Sequence, residues 1–523
     1  MLIFRRNNMQ IERMVKMKKV LLVLLVCALA FSVAACGNGA TTAPGGESHL
    51  IVAIPSFPVT LDNTATNETN SLMIHHNIVE TLVRFDGPNF NIVPGLAESW
   101  DMVDPQTIVM NLRQGVLFHN GDEMRASDVQ FSLMRGVASP QTGFIHRQIE
   151  SVDIIDDFTV QINLNIPFAP ALAHLTHPGA AINSQRAVEE AGDAFGDNPV
   201  GTGPFMFSSM SLGDYVEIVR FEDYWGERPG VDRITYRIIP EVTSRLIAVE
   251  TGEAHIAFEI SPHDIPRLQE DPNLAYDISS IPRFHFVGFN MQTTNATQIH
   301  DPRVREAINL AIDVYAIVET VYQGLGQVTH GPLVAIPGVI NFPGHEVNLE
   351  RARQLMAEAG YEDGFTLSLW NNADNQECVD KAVIIQNMLA QIGITVEIVS
   401  VEFATFLAGA TAGEQDMHVL HWNNITADPD YGLALWHSTN IGASNRFRYD
   451  NPEVDRLLDL GRSELDPAAR TEIYNEVQRL IVADMPAIFL LHGEELVALS
   501  PNVEGFVNFP SRIPELHTVR LTG

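Results

Sequence analysis

The chain is predicted to fold as α/β lobes, sheets flanked by helices, on three observations. Strand-like alternation and helix-like periodicity interleave along it, Asn/Asp-Pro pairs mark helix starts, and its length exceeds what one core supports. Beyond residue 35 there remain 488 of the 523 residues. A single hydrophobic core stops growing at about 250–300 residues, so two or more lobes are expected.

The N-terminal segment reads as an address. Met17-Lys18-Lys19 opens a basic stretch, Val20 to Ala30 is apolar apart from Cys27 and small residues, and Val33-Ala34-Ala35-Cys36 follows. A charged start, a short apolar run and a small-residue cleavage site describe a secretory signal, too short to span a bilayer. Val-Ala-Ala-Cys looks like a bacterial lipobox, which makes Cys36 the expected acylated first residue; an ordinary signal with an incidental Cys is the plainer reading. Residues 1–16 precede a second plausible start at Met17 and are expected to include a mis-set start. Residues 37–48 (GNGATTAPGGES) are small and polar, the composition of a flexible tether.

Within the body, Phe158 to Ile166 alternates, with Phe158, Val160, Ile162, Leu164 and Ile166 on one face of a half-buried strand. Tyr215–Phe221 and Ile234–Ile239 read as strands across the loop Tyr224-Trp225-Gly226-Glu227-Arg228-Pro229-Gly230. Asp301-Pro302 caps a helix with Val304, Ile308 and Ile312 on its inner face. Asn348 opens another, with Ala352, Leu355, Met356 and Ala359 as its stripe and Gly360 as its stop. A helix through Ala382 to Ile392 ends at Gly393, and Ile394, Val396 and Ile398 continue as a strand. Asn451-Pro452 and Asp466-Pro467 cap two more helices.

Charge narrows the partners. Beyond residue 35 there are 26 basic and 64 acidic residues, a balance near −38. Such a surface repels nucleic acid and anionic headgroups. Only one of those bases is a lysine, Lys381. Lysine loses its charge near pH 10.4 and arginine does not, so this usage points to work at high pH or high salt, or else to compositional drift. With Cys27 in the signal and Cys36 as anchor, Cys378 is a lone thiol near a helix start and forms no intrachain disulfide.

Ordered motifs carry a family resemblance. They are Glu80-Thr81-Leu82-Val83; Pro94 to Trp100 (PGLAESW); Leu112-Arg113-Gln114-Gly115-Val116 with Phe118-His119-Asn120-Gly121; Ala126-Ser127-Asp128-Val129; and Gly201-Thr202-Gly203-Pro204-Phe205. Asp223-Tyr224-Trp225-Gly226, Phe289-Asn290, Arg303 to Ile308 (RVREAI), Ala357 to Tyr361 (AEAGY) and Asn451 to Asp455 (NPEVD) follow. On these the chain resembles extracellular solute-binding protein family 5, the peptide-, nickel- and glutathione-type substrate-binding lipoproteins of ABC importers. Most of the motifs read as turns and core contacts. The resemblance implies a periplasmic-binding-protein-like fold of type II in its large cluster C form. It has two lobes joined by crossing strands, a ligand cleft between them, and a first lobe split into two subdomains. The expected division is 49–85, 196–284 and 487–523 for the main part of lobe I, 86–195 for its small subdomain, and 285–486 for lobe II. It further implies a monomer outside the cytoplasm, held at the membrane only by the anchor, that binds a small peptide or peptide-like ligand and docks on ABC permease subunits.

Site residues follow from the same resemblance. In relatives a Trp at a strand-to-loop junction lines the ligand pocket, and Trp422 matches it. In peptide-binding relatives an Asp three residues later holds the ligand's ammonium; Ile425 stands there. An Arg three residues before the Trp serves longer peptides; Val419 stands there. Both departures argue against a standard oligopeptide, and the loop is closer to glutathione-type relatives. Asn423, Asn424 and Thr426 are expected to bond ligand amides. Asp428 would hold an ammonium from a shifted position, though Asp428-Pro429 reads equally as a turn. The crossing strand is expected at Ile281–Asn290, with Phe284 and Arg283 toward the ligand. Arg147 is a further candidate for a carboxylate, or a solvated side chain.

Other function classes find less. No Gly-x-Ser-x-Gly, His-Glu-x-x-His or phosphate-loop sequence is present, so no catalytic residue or cofactor is assigned. Capture of a chelated metal, nickel or haem, is the alternative within the receptor class. Direct metal ligation is not expected, because His418 and His421 point to opposite faces if their segment is a strand. A sensory receptor presenting its ligand to a membrane kinase is the alternative of another class, to be separated by neighbouring permease or kinase genes.

Overall fold

Near-continuous apolar sequence suits a strand covered on both faces, and residues 49–54 (HLIVAI) form such a strand, β1 (His49–Ile54), with Leu50, Val52, Ala53 and Ile54 fully buried. The structure is a computed structural model that describes residues 47–87, 90–333, 339–342, 344, 346–424, 426, 428–509 and 513–522. The signal, the Cys36 anchor, most of the tether and Ile425 lie outside the described residues.

A hairpin of β2 (Val83–Phe85) and β3 (Ile92–Pro94) leads into a separate antiparallel sheet. This consists of β4 (Ala97–Asp104), β5 (Thr107–Leu112), β6 (Ile149–Asp156) and β7 (Thr159–Leu164), in the order β4-β5-β7-β6. The alternation read from Phe158 to Ile166 is shorter than expected. Val160, Ile162 and Leu164 are buried, but Ile166 is 40% exposed because pairing with β6 ends at Leu164. Helix α1 (Ala126–Ala138) covers this sheet through Val129 and Leu133.

The chain then returns to the main sheet as the meander β8 (Phe205–Ser211), β9 (Tyr215–Arg220) and β10 (Arg233–Ile238). β10 lies parallel to β1, whose other neighbour is β11 (Ile256–Ala257). The 15-residue strand β12 (Ala275–Phe289) follows. Next come α2 (Pro302–Ala311), α3 (Val314–Tyr322), β13 (Gln327–Val328), α4 (Leu349–Glu358), β14 (Phe365–Asn372) and α5 (Gln376–Ala390). The chain continues through β15 (Ile394–Val401), β16 (Met417–Asn423), α6 (Pro429–Leu433), α7 (Pro452–Ser463), α8 (Pro467–Asp484) and β17 (Ala487–Leu499). The sheet order is β15-β14-β16-β12-β17-β11-β1-β10-β9-β8, with β13 beside β17.

Local chemistry sets the helix boundaries. Asp301, Asn348, Asn451 and Asp466 each accept a first-turn N–H, and proline takes the first helical position after all but Asn348. Each such cap contributes about 1 kcal/mol. Helix α5 starts at Gln376, ahead of the expected Ala382–Ile392 stretch and with Cys378 in its first turn, because the Asn375 side chain caps it. Gly360 and Gly393 take positive φ (+86° and +83°) just past α4 and α5, a conformation that a Cβ disfavours.

Long β12 and β17 pair antiparallel and link two differently packed regions. Leu496 and Ala498 sit in one core with Leu246 and Val249, whereas Ile488, Leu490 and Leu491 join another with Val287, Phe289 and helices α2 to α5. Their ladder shifts register between Ser280/Glu494 and Phe284/His492. The half-sheet β15-β14-β16-β12 is covered on its opposite face by a third core, which includes Phe286, Trp436, Phe447 and Tyr474. Coverage on both faces accounts for the apolar sequence of these strands.

Three sequence motifs meet at one carboxylate. Glu80 accepts from Thr202 Oγ1 at 2.8 Å, Tyr224 OH at 2.9 Å and Trp225 Nε1 at 2.8 Å. Gly201 and Gly203 let this turn press on Ile78: a Cβ would lie 2.3 Å from its carbonyl oxygen at Gly201 and 2.6 Å from its carbonyl carbon at Gly203. These motifs are scaffold, as their turn-like composition indicates.

Candidate ligand-binding cleft

The site forms where β16 runs out beside β12. Their antiparallel register sets Arg283 opposite Asn423, Phe284 opposite Trp422 and His285 opposite His421. Alternation then sends Arg283, His285, His421 and Asn423 to one face and Phe284 and Trp422 to the other. On the first face Arg283 Nε donates to Asn423 Oδ1 at 2.8 Å, and the rings of His285 and His421 are 5.2 Å apart. His418 lies on the opposite face against Phe286 and Phe447, so it does not meet His421.

Phe284 is 1% exposed and packs on Phe286 and Phe489. The structure thus gives the ring to the core. Trp422 is only half-buried, and its indole stands 5.8 Å from Tyr431 on α6. Tyr431 in turn abuts His174 and His177, each with ring centroids 6.5 Å away. Its hydroxyl is bonded by the Asn67 side chain. Ala169 N–H donates to the Arg462 carbonyl at 2.8 Å beside this junction. Here residues 67–177 meet residues 422–462.

Three buried ring nitrogens at this junction have no hydrogen-bond partner among the described residues: Trp422 Nε1, His174 Nε2 and His177 Nε2. Their polarities can be assigned. Burial holds both histidines below their usual pKa, His177 to about 3, so both rings are neutral. His174 Nδ1 lies 3.0 Å from the Ile145 carbonyl and must donate to it, leaving Nε2 an acceptor. His177 Nδ1 accepts from Gly179 N–H at 2.9 Å, leaving Nε2–H a donor. The indole N–H is a second donor. One acceptor and two donors, all uncharged, match the C=O and N–H of an amide.

The loop after β16 is tied down by its own polar groups. Asn424 N–H donates to Pro282 O at 2.6 Å and its Nδ2 to Asp428 O at 3.0 Å. Thr426 is buried, and its Oγ1 accepts from Asp428 N–H at 3.4 Å. Asp428 caps α6 by accepting from Asp430 N–H at 2.8 Å. Its carboxylate also takes two bonds from Arg470, at 2.9 and 2.6 Å. Asp430 is held by Arg462 Nε at 2.7 Å. Both acids of the loop are therefore neutralised from within, which favours the turn reading of Asp428 over an ammonium site. Arg147, at the end of a short helix (Gly143–His146), is exposed and lies near Arg462, Asp430 and Asp459.

The sequence reading did not single out Tyr431 or Asn67, nor see that His174 and His177 flank Tyr431. Asn67, His174 and His177 are each over 100 residues from Tyr431 along the chain, beyond the reach of any local pattern. Cys378 is buried and its thiol is pushed up by that burial, the opposite of an activated nucleophile. Among the described residues no group of three His, Cys, Asp or Glu stands in a metal-ligating arrangement, and no helix is long and apolar enough to cross a membrane.

Known proteins share this architecture. A family model described as bacterial extracellular solute-binding proteins, family 5 Middle, matches residues 91–444. The chain is 28% identical over 487 residues to the glutathione-binding protein GsiB of Pectobacterium atrosepticum, covering 90% of this chain and 94% of that protein. It is 30% identical over 479 residues to heme-binding protein A of Haemophilus influenzae, covering 85% and 87%. Among solved structures, the ABC transporter-associated periplasmic binding protein DppA from Helicobacter pylori, in complex with the peptide STSA, superposes with a TM-score of 0.83. It shares 28% identity, over 91% of this chain and 99% of that one. The fold is thus the large two-lobed form that the motifs implied.

Proposed function

The chain belongs to the bacterial extracellular solute-binding proteins of family 5, and from that premise we propose that the solute it captures is a peptide-like small molecule. It is the non-enzymatic solute-binding component of an ABC importer. The observation that carries the peptide-like reading is the uncharged set of Trp422 N–H, His177 N–H and His174 Nε2 around Tyr431, complementary to an amide. Buried polar groups demand partners, at about 1–3 kcal/mol for each one left unsatisfied. A ligand amide supplies them where the aromatic faces of Trp422 and Tyr431 cover its apolar parts.

The peptide, glutathione and heme named for the relatives bound the candidates. With Asp428 and Asp430 committed to Arg470 and Arg462, the ligand's amine is not held by this loop. Acylation at Cys36 and the division into lobes at 284/285 and 486/487 belong to the same proposal. The test begins with native mass spectrometry of the purified protein after denaturing release of bound solute. Thermal-shift and calorimetric titration with di- to hexapeptides, glutathione and nickel–histidine follow. Binding of a peptide or glutathione that Trp422→Ala weakens at least tenfold supports the reading. A bound solute without an amide, or affinity untouched by Trp422→Ala, would falsify it.

A further inference from the structure

The junction at Tyr431 brings together stretches of chain far apart in sequence, and two of its rings are able to take up a proton. His174 lies between Phe168, edge to face at 4.9 Å, and Tyr431 at 6.5 Å. His177 faces Tyr431 at 6.5 Å. The two histidines are 5% and 1% exposed. Residues 428–462 supply part of that cover, through the Tyr431 ring and through the Arg462 carbonyl that takes Ala169 N–H at 2.8 Å. Drawing residues 428–462 away lifts Tyr431 off both rings. His146 is buried as well, but against its own subdomain: a Cβ at Gly136 on α1 would lie 2.8 Å from its ring. It stays covered when the junction parts.

The charges around these rings are already matched. Asp430 and Asp428 favour a proton on His174 and Arg462 opposes it, but Arg462 holds Asp430 at 2.7 Å and Arg470 holds Asp428 at 2.6 Å. Asp459 is 3.0 Å from Arg462, with Arg147 nearby. His146 and His174 are the titratable groups that act on His177, and both oppose its charge. Behind His177 a small pocket is lined by His76, Arg84 and Glu515, and Glu515 lies 3.5 Å from Arg84 and 3.9 Å from His76. Each acid facing the two rings is thus paired with an arginine, and burial decides whether the rings are charged. Buried, His177 is held at about 3 and His174 below its ordinary value. An imidazole in water takes up its proton near pH 6.5.

We propose that solute capture is proton-linked at this junction: His174 and His177 take up protons when residues 428–462 draw away, and give them up when the site closes over its solute, so that acid favours the open, empty form. The inference rests on the role given to these rings and on the division into lobes proposed above. At pH 8 both rings are neutral in either form, and affinity is insensitive to pH. Below about pH 6.5 each exposed ring holds a proton that closure must expel, and affinity falls by up to about tenfold per pH unit for each ring. At pH 5.5 the two rings together lower affinity about a hundredfold.

The test counts protons. Protein stripped of bound solute is titrated calorimetrically with the tightest N-acetylated, histidine-free peptide of the di- to hexapeptide set, at pH 5.5 and pH 8. Each titration is run in two buffers of different ionisation enthalpy, and the difference in heat gives the protons released. About one to two are expected at pH 5.5 and none at pH 8. His177→Gln has no imidazole to titrate and is expected to release about one proton fewer at pH 5.5, whatever its affinity at pH 8. Its thermal unfolding shows that it is folded, and His174→Gln takes its place should it not be. Less than about half a proton from the wild type at pH 5.5, or an equal count from the variant, overturns the proposal while the peptide-like reading stands. If no peptide binds, that reading fails by itself and the count is made with the solute released from the native protein. Subtracting the variant from the wild type then cancels the solute's own protons. A difference of about one proton supports the linkage, and no difference overturns it.

Discussion

Arg470 holds Asp428 through both terminal nitrogens, Nη1 to Oδ2 at 2.9 Å and Nη2 to Oδ1 at 2.6 Å, with the two side chains 14% and 11% exposed. Removing one partner of a buried pair strands the other charge, at a cost of about 3–5 kcal/mol. Asp428→Asn is accordingly expected to lower unfolding stability by about 3 kcal/mol, and Arg470→Met in the same chain to restore part of it. A double-mutant cycle by urea denaturation checks this; additive losses would show that the pair does not couple.

The same pairing predicts how the ligand's amine behaves. Since neither Asp428 nor Asp430 is available to it, acetylating the N-terminus of a bound peptide should change affinity by less than about threefold, under 0.7 kcal/mol. Calorimetry on the free and acetylated forms decides it. A loss of a hundredfold would mean that an acid of this loop reaches the ligand after all.

Tyr431 joins Trp422 to the two histidines by its ring and Asn67 by its hydroxyl. Tyr431→Phe keeps the ring and should cost ligand affinity only a few-fold, about 1 kcal/mol for a hydrogen bond. Tyr431→Ala removes the wall itself and should cost at least tenfold. Equal effects in a titration would assign the role to the hydroxyl instead.

Glu80 collects donors from Thr202, Tyr224 and Trp225. Glu80→Ala leaves three part-buried donors without their acceptor and is expected to destabilise by about 3 kcal/mol. Glu80→Gln keeps one acceptor oxygen and should cost about half of that. Neither variant touches the ligand, so affinity measured on the folded fraction should be unchanged.

Acid should weaken the fold well before carboxylates titrate. Burial lowers His75, His177 and His418 to about 3, and His119, His146 and His492 to about 4. In the unfolded chain they take up protons near pH 6.5, so below that pH the unfolded state binds more protons than the folded one. Their stabilisation is complete above about pH 6.5 and is lost as the pH falls toward the folded values of about 4 and then about 3. The urea midpoint should therefore be flat through alkaline pH and fall from pH 6.5 to 4. His418→Leu, which removes a buried ring whose two nitrogens have no partner among the described residues, should make that slope shallower. An unchanged slope would place the acid sensitivity elsewhere.

Much of the architecture was legible because its signals are local. Caps at Asp301, Asn348, Asn451 and Asp466 and stops at Gly360 and Gly393 lie within a turn of what they control. The proposed site was legible only in outline. Trp422, Asn423 and Asn424 stand where β16 ends, but Phe284 belongs to the core and Asp428 to Arg470.

The sequence by itself determined most strands and helices, the family and the segment proposed to carry the site, since periodicity, capping and ordered motifs are properties of neighbouring residues. Only the tertiary structure decided which polar atoms remain available. Asp428 meets Arg470 42 positions on, and Lys381 meets His285 across 96. A side chain's free valences depend on what the fold brings within 3 Å of it, and no spacing along the chain encodes that distance.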